Sequence, residues 1–241
     1  MNKLILCEGE TDAILLSYYL GKIAGWKYCE KAPKNIDIKK HNDNESVNWY
    51  KKGKDYLLIC GVGGKDNFGR FFETRIKAPL VTVNAFEKIA IVTDRDSRTV
   101  DEIRNSLRLS TENFFGDIRN REWCSNSYQD GYGIARSLEL LLVVVPKECL
   151  GALETVLLDA ISEEPYDKNI VEKATAFVRQ MRTEASKYIW SDRLQLKAQL
   201  GVTWAVQFPE KVFRRIDEQI KNVQWEKYEV LKECFNSLED I

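Results

Sequence analysis

Three carboxylates in this chain each follow directly on an apolar run. Glu8 ends Leu4-Ile5-Leu6-Cys7-Glu8, and Asp94 and Asp96 follow Ile89-Ala90-Ile91-Val92-Thr93. Acids that converge without a cation repel one another. A hard divalent ion with oxygen ligands removes that repulsion, most simply Mg²⁺ with Mn²⁺ as a substitute, and it creates a centre suited to phosphate chemistry. The i, i+2 spacing of Asp94 and Asp96 points both side chains one way if the backbone stays extended. The one histidine, His41, lies in the polar stretch Lys39-Lys40-His41-Asn42-Asp43-Asn44, which reads as a loop. Chemistry in this chain therefore falls to carboxylates. The six cysteines are dispersed with no Cys-x-x-Cys pair, and Cys7 and Cys60 read as buried, reduced thiols.

The elements that must position these acids alternate. Lys3–Cys7 reads as a strand, Glu8-Gly9-Glu10 as a tight turn, and Thr11 as the N-cap of a helix over Ala13–Leu20. Tyr56–Cys60 is the next strand and closes on Gly61-Val62-Gly63-Gly64-Lys65, with a helix expected over Asn67–Ile76. Lys88–Thr93 is a third strand, and Val100, Ile103 and Leu107 mark an amphipathic helix after it. Leu140–Val145 is a fourth strand, followed by a helix over Gly151–Ile161. Near-continuous apolar strands alternating with helices predict an α/β fold with a mostly parallel central sheet flanked by helices. From about Asp167 the pattern is helical, over Ile170–Tyr188, Asp192–Leu200, Pro209–Ile220 and Trp225–Leu238. The expected division is an α/β domain over 1–161, with a lysine- and aromatic-containing insertion at 27–55, and an α-helical C-terminal extension over 162–241. Trp204, Phe208, Phe213, Trp225, Tyr228 and Phe235 read as core of that extension, with a dimer-forming role as the rival.

Leu4-Ile5-Leu6-Cys7-Glu8-Gly9-Glu10-Thr11-Asp12 resembles the first motif of the Toprim domain, an apolar strand followed by Glu-Gly-x-Thr-Asp. Ile89-Ala90-Ile91-Val92-Thr93-Asp94-Arg95-Asp96 resembles its second, a strand ending in Asp-x-Asp. Val145-Pro146 with Gly151-Ala152-Leu153-Glu154 is similar to the last strand and helix start of compact Toprim nucleases of the OLD (overcoming lysogenisation defect) type. Thr155 stands where those proteins often carry an aspartate, and Glu139 is set aside because it precedes the fourth strand. The resemblance implies a Mg²⁺-dependent nuclease. Glu8 would serve as general acid–base residue or metal ligand, Asp94 and Asp96 would hold the principal ion, and Asp12 and Glu154 would contribute to it or to a second ion. Lys65 would neutralise the scissile phosphate. Asp12 fits equally a first-turn acid favoured by the helix dipole, and Lys65 a solvated turn lysine. OLD-type nucleases carry an ATPase in the same chain and this sequence has none, so the resemblance also admits a separately encoded ATPase partner and a setting in phage defence. A non-catalytic adaptor is the alternative. A haloacid dehalogenase-type phosphatase also uses Asp-x-Asp, but with a threonine where Arg98 stands.

Over 241 residues, 36 basic and 37 acidic side chains leave a net charge of −1, which excludes a globally basic coat protein. At 44% hydrophobic and 30% charged, the chain can bury a sizeable core, which excludes global disorder. DNA or RNA would have to meet local basic patches. Trp26–Asp55 holds eight lysines against five acids, interleaved with Trp26, Tyr28, Trp49 and Tyr50. Lys39, Lys40, Lys51 and Lys52 are candidate phosphate contacts there, and Arg95 and Arg98 beside the acids. The bland reading is a solvated loop with its tryptophans in the core. The longest aliphatic run, Leu140–Val145, is far short of a membrane span, and the N-terminal stretch turns acidic too early for a secretory signal. The expected location is cytoplasmic.

Overall fold

A computed structural model describes the chain from residue 1 to 241 apart from Ala185, Val212 and Phe213, and apart from the side chain of Ile216. Phe213 therefore lies outside the described residues. The fold is α/β. Seven strands form one sheet in the order β2-β3-β4-β1-β5-β7-β6, with β1 at Asn2–Cys7, β2 at Lys27–Cys29, β3 at Ser46–Lys52, β4 at Asp55–Gly61, β5 at Lys88–Asp94, β6 at Cys124–Gln129 and β7 at Ala135–Val145. β1 runs parallel to β4 and β5, whereas β3 is antiparallel to β4, β2 to β3, and β6 to β7. The sheet is thus mixed around a parallel centre.

The chain divides into two compact units. The first comprises Met1–Asp94, Arg98–Val144 and Phe235–Ile241, and the second Arg95–Ser97 and Val145–Cys234. The last seven residues group with the first unit, which holds the sheet.

In the first unit, Leu4 and Leu6, Leu58 and Cys60, Ile89 and Ile91, and Leu138, Leu140, Leu142 and Val144 form one buried layer. Phe68, Phe71, Phe72, Ile76 and Leu80 of α2 (Phe68–Phe71), a π-helical turn (Phe72–Ile76) and α3 (Lys77–Val83) join that layer, as do Ile103 and Leu107 of α4 (Val100–Ser110). Alternate strand residues point the other way, yet Ile5, Leu57, Ile59, Ala90, Leu141 and Val143 are equally buried. Burial on both faces is why these strands read as unbroken apolar runs. The segment expected as an insertion is built into the sheet. It supplies β2 and β3, and Ile36, Ile38 and Trp49 enter the same core. The bland reading of its tryptophans holds, since Trp26 and Trp49 are buried and Trp49 stacks on Phe86 with ring centres 6.3 Å apart.

Three expectations about elements are corrected. Gly9, in extended conformation, caps α1 (Glu10–Ala24), so the helix begins ahead of Thr11; the Asp12 carboxylate reaches back to accept the Gly9 N–H at 3.0 Å. β7 begins at Ala135 and contains Glu139, whose N–H donates to the Glu87 carbonyl, so Glu139 lies at the amino end of β5. The helix expected over Asn67–Ile76 is a 3₁₀ turn, α2 and a π-helical turn in succession.

The second unit is helical, with α5 (Leu153–Ile161), α6 (Pro165–Glu184), α7 (Asp192–Gln207), α8 (Ile216–Ile220) and α9 (Glu229–Phe235), the last residue of α9 belonging to the first unit. Trp204 and Trp225 are buried as expected, and Trp225 donates its indole N–H to the Ile220 carbonyl at 2.8 Å. Among the described residues, no helix is long and apolar enough to cross a membrane.

Candidate functional site

Glu8 leaves β1 at its carboxyl end, where ligands gather in open parallel sheets. It is 7% exposed. Its Oε1 accepts from the Thr93 hydroxyl at 2.7 Å and from the Asp94 N–H at 2.9 Å, which fastens it to the end of β5. On the other side, the Gly64 N–H donates to the Glu8 carbonyl at 2.7 Å, so the glycine turn that carries Lys65 is tied to the same residue. Gly61 is required for this approach: a Cβ there would stand 2.7 Å from the carbonyl carbon and oxygen of Gly9. Lys65 itself is exposed.

Asp12 and Asp94 are buried close by. The Cys7 thiol reports their field. Burial pushes its pKa well above the usual thiol range, and Asp12, Cys60, Glu8 and Asp94 push it the same way. Three of the expected ligands, Glu8, Asp12 and Asp94, thus act on one buried thiol of the first unit. An all-oxygen, buried donor set suits a hard divalent cation. Among the described residues, however, no three such side chains are drawn together tightly enough to hold a metal ion.

Asp96 and Glu154 belong to the second unit. Asp96 departs from the extended backbone that the i, i+2 reading required, since it takes a left-handed conformation with φ at 50°. Its backbone exchanges two hydrogen bonds with Gly151, at 2.6 and 2.9 Å. Its side chain meets Arg193 at 3.3 Å, and the same guanidinium lies 3.5 Å from Glu154 at the start of α5. An arginine therefore stands between these two carboxylates where a cation was expected. Thr155, in the place of the absent aspartate, accepts from the Ala152 N–H at 3.2 Å and caps α5.

The basic candidates separate. Lys39 and Lys40 line an open cleft of about 630 Å³ together with Glu10 and Ser46, and Ser46 pairs with Gly61 at the carboxyl end of β4. They also bond Asp37 and Asp43. Lys51 and Lys52 pair with Tyr56 and Asp55, at the amino end of β4, level with the start of β1. A strand of this length puts them about 20 Å from the Glu8 end. There they cover aromatic rings, Lys51 over Tyr56 and Lys52 over Trp26. Arg95 donates to the Lys147 carbonyl at 3.1 Å, and Arg98 is half-buried ahead of α4. His41 is an exposed loop residue, as read from the sequence.

Sequence reasoning missed Thr93 and Arg193 as partners of the acids. Thr93 is a hydroxyl residue inside an apolar strand, a signal in plain view. Arg193 has no local signal, because it lies 97 residues from Asp96.

Residues 2–240 match the family described as "Protein of unknown function (DUF3226)". The chain belongs to this family. No curated protein matches the chain. Among solved structures it is similar to the hypothetical protein PH0156 from Pyrococcus horikoshii OT3, at 16% identity and a TM-score of 0.48, over 98% of this chain and 99% of that one.

Proposed function

We propose that the protein is a divalent-cation-dependent phosphodiester hydrolase acting on DNA or RNA, in the manner of a compact Toprim nuclease. The observation that carries this reading is the fastening of Glu8 to Thr93 and Asp94 at the carboxyl ends of two adjacent parallel strands, with Asp12 buried beside them. Hydrogen bonding to Oε1 from the Thr93 hydroxyl and the Asp94 N–H holds the Glu8 carboxylate in one orientation, as a general acid–base residue requires. Glu8, Asp12 and Asp94 are the groups of the first unit that would hold Mg²⁺ or Mn²⁺. The bound ion supplies charge neutralisation and a water of lowered pKa. Lys65, on the turn fastened to the Glu8 backbone, supplies positive charge to a phosphate.

A second reading is favoured by Arg193. With its guanidinium on Asp96 and Glu154, those acids are compensated without any cation. This suits a non-catalytic or partner-dependent subunit of an ATPase-containing complex. The deciding experiment incubates the purified protein with supercoiled plasmid and with structured RNA, in Mg²⁺, Mn²⁺ or EDTA, beside Glu8→Ala and the double variant Asp94→Ala/Asp96→Ala. Cation-dependent cutting lost in both variants supports the hydrolase and names its polymer. No cutting of either polymer by the wild type supports the adaptor.

A further inference from the structure

Two guanidiniums on the segment after β4 line a polar pocket and hold no acid of their own. Arg70 of α2 and Arg75 of the π-helical turn form its wall with Asn42, Asn44 and Asn67 around a volume of about 180 Å³. Among the described residues neither arginine pairs with a carboxylate within 4.0 Å, whereas Arg104, Arg119, Arg136 and Arg214 each do. Arg75 donates one N–H to the neighbouring Thr74 carbonyl at 3.1 Å, and its Nε is buried with no acceptor. A buried donor left unsatisfied costs free energy that a bound acceptor would recover. Arg75 also lines a second cleft, with Lys39 and His41.

The one acid in the first pocket is Glu45. Its two oxygens are taken by its own loop, from the His41 N–H at 2.8 Å and the Asn42 side-chain amide at 2.9 Å. The balance in the pocket is therefore positive, and the surrounding amides can add donors. Its place in the sheet is equally pointed. Val62 and Gly63 of the wall follow β4 at its carboxyl end, and the next residue, Gly64, donates to the Glu8 carbonyl. At about 180 Å³ the pocket is smaller than the ~300 Å³ or more of sites that enclose whole ligands, which favours one compact group over a complete nucleotide.

We propose that Arg70 and Arg75 form a phosphate subsite that takes a backbone phosphate of the nucleic-acid strand beside the one attacked at Glu8. Guanidinium forks match phosphate oxygens two at a time. The anion site stands on the geometry alone, while its assignment to a polymer rests on the hydrolase reading.

The test is carried out in EDTA, so that no cation contributes. Binding of inorganic phosphate and of a short single-stranded oligonucleotide is measured by calorimetry and by thermal shift, for the wild type, Arg70→Gln and Arg75→Gln. Arg70 is exposed, so its variant keeps the test valid if Arg75→Gln folds poorly. The expected result is binding of both probes by the wild type, weakened about tenfold in each variant, with the oligonucleotide's salt dependence shallower by roughly one ion. No phosphate binding by the wild type, or equal binding by the variants, overturns the subsite. Phosphate affinity lost with oligonucleotide affinity unchanged overturns the polymer as its source and leaves a site for a small free oxyanion. Failure of the plasmid and RNA cleavage with these effects intact would remove the hydrolase and not the subsite.

Discussion

The backbone N–H of Asp94 donates to Glu8 Oε1 at 2.9 Å across 86 residues of sequence. The Thr93 hydroxyl shares that oxygen, so one carboxylate joins the carboxyl ends of β1 and β5. Glu8→Gln keeps an oxygen for both donors and removes the charge. Cation-dependent cleavage should fall at least ~100-fold, as loss of a general acid–base group does, with the melting temperature little changed. Glu8→Ala leaves both donors buried and unmet, and should also cost about 1–3 kcal/mol in a urea titration.

Arg193 is expected to support the second unit when no cation is present. Arg193→Ala leaves Asp96 and Glu154 without their guanidinium. For a half-buried arginine the loss should be about 1–2 kcal/mol, between the exposed and the fully buried case. Thermal melting in EDTA reads this directly. Mg²⁺ should return more stability to the variant than to the wild type, because a ligand of the folded state stabilises in proportion to its occupancy. An identical cation response in both proteins would separate Arg193 from any metal site.

Gly61→Ala should destabilise by about 1–3 kcal/mol, the usual cost of overpacking, because the added Cβ meets the Gly9 backbone and not a side chain that can turn away. It should also disturb Glu8 and reduce cleavage. Gly131→Ala is the control, since its Cβ would meet nothing nearer than the Val81 carbonyl at 3.5 Å. Urea midpoints of the two variants make the comparison.

Alkaline stability should decline through the buried thiols. Burial raises the pKa of both Cys7 and Cys60 in the folded protein. Above the unfolded thiol pKa of about 8.5, the unfolded chain loses protons that the folded chain keeps, so stability falls as pH rises from there. The Cys7→Ala/Cys60→Ala double variant should show a smaller drop in melting temperature between pH 7.5 and 9.5, whatever its stability at neutral pH.

If a strand enters along the carboxyl ends of β1 and β4, charge removal should act unequally in the 27–55 segment. Lys39→Ala/Lys40→Ala should weaken binding of the single-stranded oligonucleotide and flatten its salt dependence by one to two ions at about 0.7 per contact. Lys51→Ala/Lys52→Ala should leave both nearly unchanged, because those side chains lie at the opposite end of the strands. Titrations at several salt concentrations decide the matter.

Much of the fold was legible before the structure. β1, β4, β5 and β7 are buried on both faces, and such strands must be written as continuous apolar runs. Glu8, Asp12 and Asp94 were legible for the same reason, because a charge directly after such a run has to lie at a strand end or in the helix that follows. The edge strands were not. β6 alternates half-buried and exposed residues over Cys-Ser-Asn-Ser-Tyr-Gln, and its pairing with β7 is supplied by the partner strand more than by its own apolar content. The left-handed turn at Asp96, the guanidinium of Arg193 between Asp96 and Glu154, and the pairing of Arg70 with Arg75 in one pocket lay beyond any local pattern. Local sequence determined which segments had to be buried and where charge had to emerge from them. Tertiary structure decided which charges meet, because ion pairs and pockets join residues far apart in sequence and leave no periodic trace along the chain.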